Sequence, residues 1–188
     1  LDPRTLLLAG VMVGAFANAL VLLLLTLTDT ETFRAALAWM LGDLAGASWH
    51  AAALLAAYVV PAAALLLALA RPLDLLAAGE ETAAYLGANV ARVRAATYLI
   101  ASFLAAATVA ACGAIGFVGL VVPHALRLLW GSGHRLLLPG TALAGAAFLI
   151  AADTAARTAA APLELPVGVV TALAGVPVFL ALLARRTP

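Results

Sequence analysis

The sequence contains no lysine, a single cysteine and few charged side chains of any kind. Of its 188 residues, 66% are hydrophobic and only 10% are charged, and the mean hydropathy is +1.14. Soluble domains are about half apolar and about a quarter charged, so this composition excludes an ordinary soluble domain and indicates an integral membrane protein. The net charge of +1 also argues against a nucleic-acid partner, which needs a clustered basic face.

Motifs for catalysis and metal binding are absent from the sequence as well. Cys112 stands alone in an apolar run, so it can form neither an intramolecular disulfide nor a cysteine-based metal site. The sequence has no HExxH, no GxSxG and no glycine-rich phosphate-binding loop. His50, His124 and His134 are scattered along the chain. We therefore expect no active site, no metal site and no cofactor bound by this chain.

Six apolar segments make up most of the chain, and the longer ones reach the roughly 20 residues that cross a bilayer core of about 30 Å. They predict an all-α fold, a polytopic membrane helical bundle of about six transmembrane segments that forms a single transmembrane domain over residues 1–188. Because the chain opens at Leu1 without a methionine or a typical signal peptide, we expect a fragment of a longer protein. The segments are residues 6–27, 48–70, 95–112, 117–130, 136–156 and 167–184.

A mixed stretch, residues 28–47, separates the first two apolar segments. Within it Phe33, Leu37, Met40 and Leu41 recur three or four residues apart, a spacing that is typical of one helix face. The stretch is too short to span a membrane, so we expect a short helix that lies at or dips into the outer surface.

The long polar interruption of the sequence is residues 71–94. Pro72 suits the first position of a short helix, Gly79 breaks that helix, and Glu80 and Glu81 suit the electropositive start of a second one. Gly87 would close the second helix after about two turns. Two short helices bent at a glycine favour a docking element at the membrane surface, and a solvated interhelical loop is the alternative.

The arginines predict the orientation of the chain, because cytoplasmic loops carry an excess of Lys and Arg. If residues 71–94 are cytoplasmic, six crossings place eight arginines inside and only Arg34 and Arg157 outside. Both ends of the chain are then cytoplasmic. The eight are Arg4, Arg71, Arg92, Arg94, Arg127, Arg135, Arg185 and Arg186.

Glycines punctuate the start of the fourth apolar segment. Gly113, Gly116, Gly119 and Pro123 fall within twelve residues of apolar sequence, which predicts a tight turn, close backbone approach and a bent start to the helix.

Near the outer end of the fifth segment, Asp153 and Arg157 stand four residues apart, the spacing of an ion pair on one helix face. A second interpretation is that Arg157 is presented to a partner outside the cytoplasm.

Three motifs together resemble one transporter family, the iron-chelate and cobalamin class of ABC importer permeases. They are GEETAAYLG, GFVGLVVPHALRLLWGSGHRLLLPG and ELPVGVVTALAGVPVF, and they occur in the family's order. The family pattern often has Pro where this chain has Ala114. Such permeases have about ten spans, so the resemblance implies that the chain corresponds to the C-terminal six. It also implies that the fold includes a short outer helix and two short cytoplasmic coupling helices, in agreement with the segments described above.

The resemblance further implies roles and partners. The element from Gly79 through Glu80, Glu81, Ala83 and Leu86 to Gly87 would be the coupling helix that enters a groove on an ATPase. Phe33, Leu37, Met40 and Leu41 would line the outer mouth of the translocation path, and Arg157 would meet an extracytoplasmic substrate-binding protein. The expected assembly is a homodimer of permeases, surrounded by membrane lipid, with cytoplasmic ATPase subunits that bind ATP and Mg²⁺.

The expected function is therefore import across the bacterial cytoplasmic membrane, with an iron-siderophore, haem or cobalamin as cargo. Two other classes stay open at this stage. A secondary transporter would usually carry ionisable groups buried in mid-span, and an intramembrane enzyme would need a nucleophile or a cluster of metal ligands.

Overall fold

The computed structural model describes residues 3–161 and 164–184, and within these ranges every regular element is an α-helix. The predicted all-α membrane bundle is confirmed. The helices are α1 Pro3–Thr26, α2 Thr30–Met40, α3 Trp49–Ala68, α4 Ala70–Ala77, α5 Glu80–Tyr85, α6 Val90–Cys112, α7 Val118–Trp130, α8 His134–Thr158 and α9 Val167–Ala184.

Four of the described helices are long and apolar enough to cross a membrane, namely α3, α6, α8 and the part of α1 from Thr5 onward. The remaining apolar helices are α7 and α9, and their described apolar parts are Val118–Trp130 and Val167–Leu182. The 13 residues of α7 extend about 20 Å at 1.5 Å per residue, which is less than the hydrocarbon core. Of the six predicted segments, four can therefore span by length within the described residues, and α7 is too short to do so by itself.

Polar caps decide where two of the membrane helices begin. The Ser48 hydroxyl accepts a hydrogen bond from the Ala51 N–H at 3.2 Å and starts α3. The Asn89 side chain accepts from the Arg92 N–H at 3.0 Å and starts α6 at Val90, five residues before the predicted start of that segment. Asn and Ser are favoured at this position because their side chains satisfy an N–H that the helix leaves unpaired.

The chain forms two compact units, a first that ends at Met40 and a second that begins at Leu41. The first unit holds α1 and α2, which contact each other. No side chain of α2 is buried.

In the second unit α7 packs on α8 and α9, α8 packs on α9, and α3 packs on α6 and α8. A small apolar core lies between α7 and α8, which are held together by burial of these side chains. Its members are Val122, Leu126 and Leu137, with Val118, Ala144 and Phe148 packed against them.

The helices of the second unit alternate in direction, which groups their termini at two ends. α4 contacts α3, α6 and α8, and the N–H of His134 at the start of α8 donates to Asp74 of α4. The starts of α6 and α8 and the ends of α3 and α7 therefore lie together, at what we call the α4–α5 end.

At the opposite end, the N–H of Asp43 donates to the carbonyl of Cys112 at 3.0 Å, which joins the segment before α3 to the end of α6. The start of α9 lies there too, because Gly168 is close to the Leu41 carbonyl. Arg185 and Arg186, and the two ends of the chain to which the predicted orientation refers, lie outside the described residues.

Candidate functional site

The candidate site is the pair of short helices, α4 and α5, with the glycines that bound α5. Gly79 adopts φ 122° and ψ 145° directly before Glu80. This backbone conformation is open to glycine and strained for other residues. The chain can therefore turn sharply between α4 and α5, where the sequence predicted a break.

Gly87 lies at the end of α5, where two backbone hydrogen bonds close the helix. Its φ is 84°, its N–H donates to the Ala84 carbonyl at 3.0 Å, and the N–H of Ala88 donates to the Ala83 carbonyl at 2.9 Å. This is the bonding pattern of a Schellman motif, in which the residue with positive φ is usually glycine. The short helix is thereby given a defined end although it has only six residues.

The side chains of α5 divide into an inward and an outward set. Ala83 is fully buried at 0% exposure, whereas Tyr85 and Leu86 are 91% and 63% exposed. Glu80 and Glu81 lie at the exposed start of the helix. All six residues proposed for coupling are thus brought into α5 and its two caps, but Ala83 anchors the helix and cannot contact a partner.

Two polar contacts tie the candidate site to membrane helices. Glu80 of α5 forms an ion pair with Arg94 in the first turns of α6. Asp74 of α4 accepts from the His134 N–H at 2.8 Å, and the same carboxylate oxygen lies 2.6 Å from Nδ1 of the His134 ring. A carboxylate only accepts hydrogen bonds, so Nδ1 carries the proton in this contact.

The Asp74 carboxylate also caps the start of α8, because it accepts a hydrogen bond from the N–H of His134, the first residue of that helix. The capping residue belongs to α4 and not to the residues just before α8. Hydrogen bonds from the backbone N–H of His134, and then from its side chain, lower the pKa of the Asp74 carboxyl below its ordinary value of 3.8. The carboxylate form is therefore the one that holds α4 against α8.

At the opposite end of the second unit, residues 113–117 are not helical. Gly113 has φ 72° and Phe117 has φ 67°, the latter a left-handed conformation in a non-glycine residue. Pro123 lies inside α7 and not in the turn. The predicted close approach does not occur at Gly116 and Gly119, because a Cβ built at either would meet no atom within 4 Å in the described chain.

Close approach occurs instead at glycines that the sequence did not single out. A Cβ on Gly168 would strike the carbonyl oxygen of Leu41 and lie 3.1 Å from that of Ala114. A Cβ on Gly42 would lie 2.9 Å from Cγ1 of Ile115, and Gly42 also has φ 80°. Three chain segments are therefore in close contact here. They are the segment at Leu41 and Gly42, the segment at Ala114 and Ile115, and the start of α9 at Gly168.

Arg157 takes part in the local ion pair that its spacing suggested. Its Nε lies 2.8 Å from Oδ2 of Asp153, and Nη2 donates to the Leu44 carbonyl at 3.3 Å. The Arg157 side chain remains 42% exposed. The guanidinium therefore fixes the segment before α3 to the end of α8, and its role in docking stays a prediction.

The residues proposed for the outer mouth of the path fall in different units. Phe33, Leu37 and Met40 recur along one face of α2 in the first unit. Leu41 follows the end of that helix and begins the second unit, so it is not a helical residue as predicted. Their role in translocation stays a prediction.

No group of three or more His, Cys, Asp or Glu side chains within residues 3–161 and 164–184 is arranged to hold a metal ion.

Comparison with known proteins shows the family to which this chain belongs. The profile of the FecCD transport family matches residues 1–185. This chain belongs to the FecCD transport family. The predicted resemblance to iron-chelate and cobalamin permeases is confirmed, and this FecCD chain is a multi-pass membrane protein of a transport family.

Individual relatives show the same similarity over nearly the whole chain. The hemin transport system permease protein of Yersinia pestis is 44% identical over 181 residues, which are 96% of this chain and 54% of the relative. The cobalamin import system permease protein of Halobacterium salinarum is 48% identical over 182 residues, 97% of this chain and 48% of the relative. The chain thus spans about half the length of the curated relatives it matches.

A solved structure supports the same assignment. It is described as the inward-facing conformation of a metal-chelate type ABC transporter, and it superposes with a TM-score of 0.91 at 34% identity. The match covers 98% of this chain and 60% of that one.

Proposed function

We propose that this chain forms the C-terminal membrane-spanning part of a permease subunit in an ABC importer. The cargo is an iron-siderophore, haem or cobalamin, and the importer lies in the cytoplasmic membrane. Support comes from the relatives, which are named as hemin and cobalamin permeases, and from the metal-chelate type transporter of the same fold.

The observation that carries the proposal is the outward face of α5. Tyr85 and Leu86 present adjacent apolar side chains to solvent, on a helix whose two ends are fixed by Gly79 and Gly87. Exposed aromatic and apolar side chains on a preorganised element are typical of a protein contact. We assign this face to a groove on a cytoplasmic ATPase subunit, which binds ATP and Mg²⁺ and carries out hydrolysis.

The polar contacts of α4 and α5 supply a route from that ATPase to the membrane helices. The Glu80–Arg94 pair connects α5 to α6, and the Asp74–His134 contact connects α4 to α8. A displacement of the docked element would therefore move the starts of two membrane helices together.

The distribution of arginine supports a cytoplasmic position for the α4–α5 end. Arg71, Arg94 and Arg135 belong to α4 and to the first turns of α6 and α8, at that end, whereas Arg157 lies at the end of α8 at the opposite one. Positive side chains are retained on the cytoplasmic side.

The proposed assembly places the opposite end outside the cytoplasm, where Arg157 meets an acidic surface of a substrate-binding protein. Phe33, Leu37, Met40 and Leu41 line the outer part of a path between two copies of the permease.

The coupling role is tested by Leu86→Asp in the intact permease, reconstituted in liposomes with its ATPase and binding protein. A charge placed in a buried apolar contact should weaken binding of the ATPase subunit to the permease. We therefore expect substrate uptake to fall by about tenfold or more. Leu86→Met is the matched control, since it keeps an apolar side chain of similar volume and should transport normally.

Thermal unfolding of the isolated permease separates docking from folding. Leu86 is exposed, so Leu86→Asp should leave the unfolding temperature unchanged. Normal uptake and normal substrate-stimulated ATP hydrolysis in Leu86→Asp would contradict the assignment of α5.

A further inference from the structure

A cavity of about 520 Å³ opens at the α4–α5 end, beside the last turns of α3. One part of its wall is apolar and comes from the end of α3 and the first residue of α4. The other part is basic and consists of Arg71 on α4 and Arg135 on α8. Two arginines that are 64 residues apart in the sequence thus line one small cavity.

Neither arginine has an acidic partner in the described part of the chain, where the ion pairs are Arg94–Glu80, His134–Asp74 and Arg157–Asp153. Asp74 is the acidic residue of α4, and it is engaged by His134. Guanidinium groups bind phosphate oxygens through paired N–H donors. The cavity therefore presents two free cationic donors to an anion.

The apolar wall continues into a second, larger cavity. Ala64 and Leu67 line both cavities. The larger one has a volume of about 860 Å³ and is bounded almost wholly by apolar side chains of α3, α6, α7 and α8. A molecule seated across both would have a charged head at the arginines and a hydrocarbon tail between the membrane helices.

We propose that Arg71, Arg135 and the apolar wall at Ala64 and Leu67 form a binding site for an anionic phospholipid. The phosphate of the headgroup lies at the arginines, and an acyl chain follows the wall of α3 into the larger cavity. Basic pockets between membrane helices on the cytoplasmic side suit such headgroups. The cytoplasmic position rests on the proposed orientation, but the chemistry of the site does not.

A free phosphate ion shares the headgroup chemistry, and the apolar wall distinguishes the two sources. An inorganic ion would need only the arginines. A lipid also needs the shared wall, because burial of its acyl chain adds free energy in proportion to the apolar area covered.

The test counts lipids bound to the intact permease in detergent by native mass spectrometry, during titration with phosphatidylglycerol or phosphatidylcholine. We expect the wild-type protein to prefer phosphatidylglycerol. Each arginine near an anionic headgroup contributes about fivefold in affinity, so Arg71→Gln with Arg135→Gln should weaken phosphatidylglycerol binding about thirtyfold. Binding of phosphatidylcholine should change little.

Three further variants make the result specific. Arg92→Gln removes an exposed arginine that lines neither cavity, and it should bind lipid normally. Arg71→Lys with Arg135→Lys keeps the charge and should retain most of the preference, which also excludes misfolding as the cause. Leu67→Trp fills the shared wall and should weaken phosphatidylglycerol binding while both charges remain.

Three outcomes would overturn the proposal. One is an unchanged lipid preference in the double glutamine variant, and another is an equal loss in Arg92→Gln. The third is displacement of phosphatidylglycerol by excess inorganic phosphate together with normal binding in Leu67→Trp, which would show a phosphate site without a lipid.

Discussion

At the scale of single residues, Gly168 and Gly119 form a natural pair because each is the second residue of an apolar helix. Gly168 has no room for a side chain, since a Cβ would strike the Leu41 carbonyl. Gly119 has open space around it within the described chain. Helix propensity alone would favour alanine over glycine at both positions, by at most the value of about 1 kcal/mol that holds for a helix interior.

We expect Gly168→Ala to destabilise the protein by about 1–3 kcal/mol, the usual effect of forcing extra atoms into a packed site. Gly119→Ala is the matched control and should be neutral or slightly stabilising. Thermal unfolding of both variants in the same detergent measures the difference. Equal unfolding temperatures would show that the contact of Gly168 with the Leu41 backbone does not constrain the fold.

These glycines also show what the sequence could not predict. The density of glycine around Gly116 predicted a non-helical turn, because the signal is local. Close backbone approach is a tertiary property, and it occurs at Gly42 and Gly168, which lie far apart in the sequence. Nothing in the residues that flank Gly168 distinguishes it from Gly119.

At the scale of helices, the contact between α4 and α8 depends on Asp74. We expect Asp74→Ala to lower the free energy of unfolding by about 1 kcal/mol, the usual effect of removing a side chain that caps a helix start. Asp74→Asn keeps an acceptor oxygen and should lose less. Glu81→Gln is the control, since it removes one negative charge from the neighbouring helix α5 at a residue without an ion pair in the described chain.

The same contact predicts a dependence on pH. Folding lowers the pKa of Asp74 below 3.8, so its contribution is fully present above that value and is lost as the pH falls toward the lower folded pKa. The contribution of Asp74 to the stability difference between the wild type and Asp74→Ala should therefore still be present at about pH 5. It should shrink below the ordinary carboxyl pKa, as measured by chemical unfolding at each pH. A difference that grows as the pH falls below the ordinary carboxyl pKa would contradict the Asp74 assignment.

Most helix boundaries could be predicted from hydropathy and from glycine and proline. The break at Gly79 and the stop at Gly87 are examples, because a positive φ at a helix end is a local requirement. The start of α6 was predicted five residues late, since Asn89 caps a polar first turn that hydropathy alone excludes. The Asp74–His134 contact joins residues 60 apart, and no local pattern predicts which acid meets which helix start.

At the scale of the whole molecule, the second unit has one end with exposed apolar side chains and arginines outside the ion pairs of the described chain, and another where three segments meet at glycines. Tyr85 and Leu86 face away from the chain at the first end. Gly42, Gly168 and Arg157 join their segments at the second. If a partner docks at the α4–α5 end as proposed, its movement reaches α6 and α8 while their far ends stay packed.

The docking of α5 on an ATPase is the central claim, and site-specific photo-crosslinking tests it most directly. A photoreactive residue placed at Tyr85, which is 91% exposed, should capture the ATPase subunit when the intact importer is irradiated. The same group at Tyr98, which is 62% exposed but lies further along α6, should capture lipid or a membrane helix instead. Capture of the ATPase at Tyr85 alone is the predicted result, and its absence at Tyr85, or equal capture at both positions, would contradict the account.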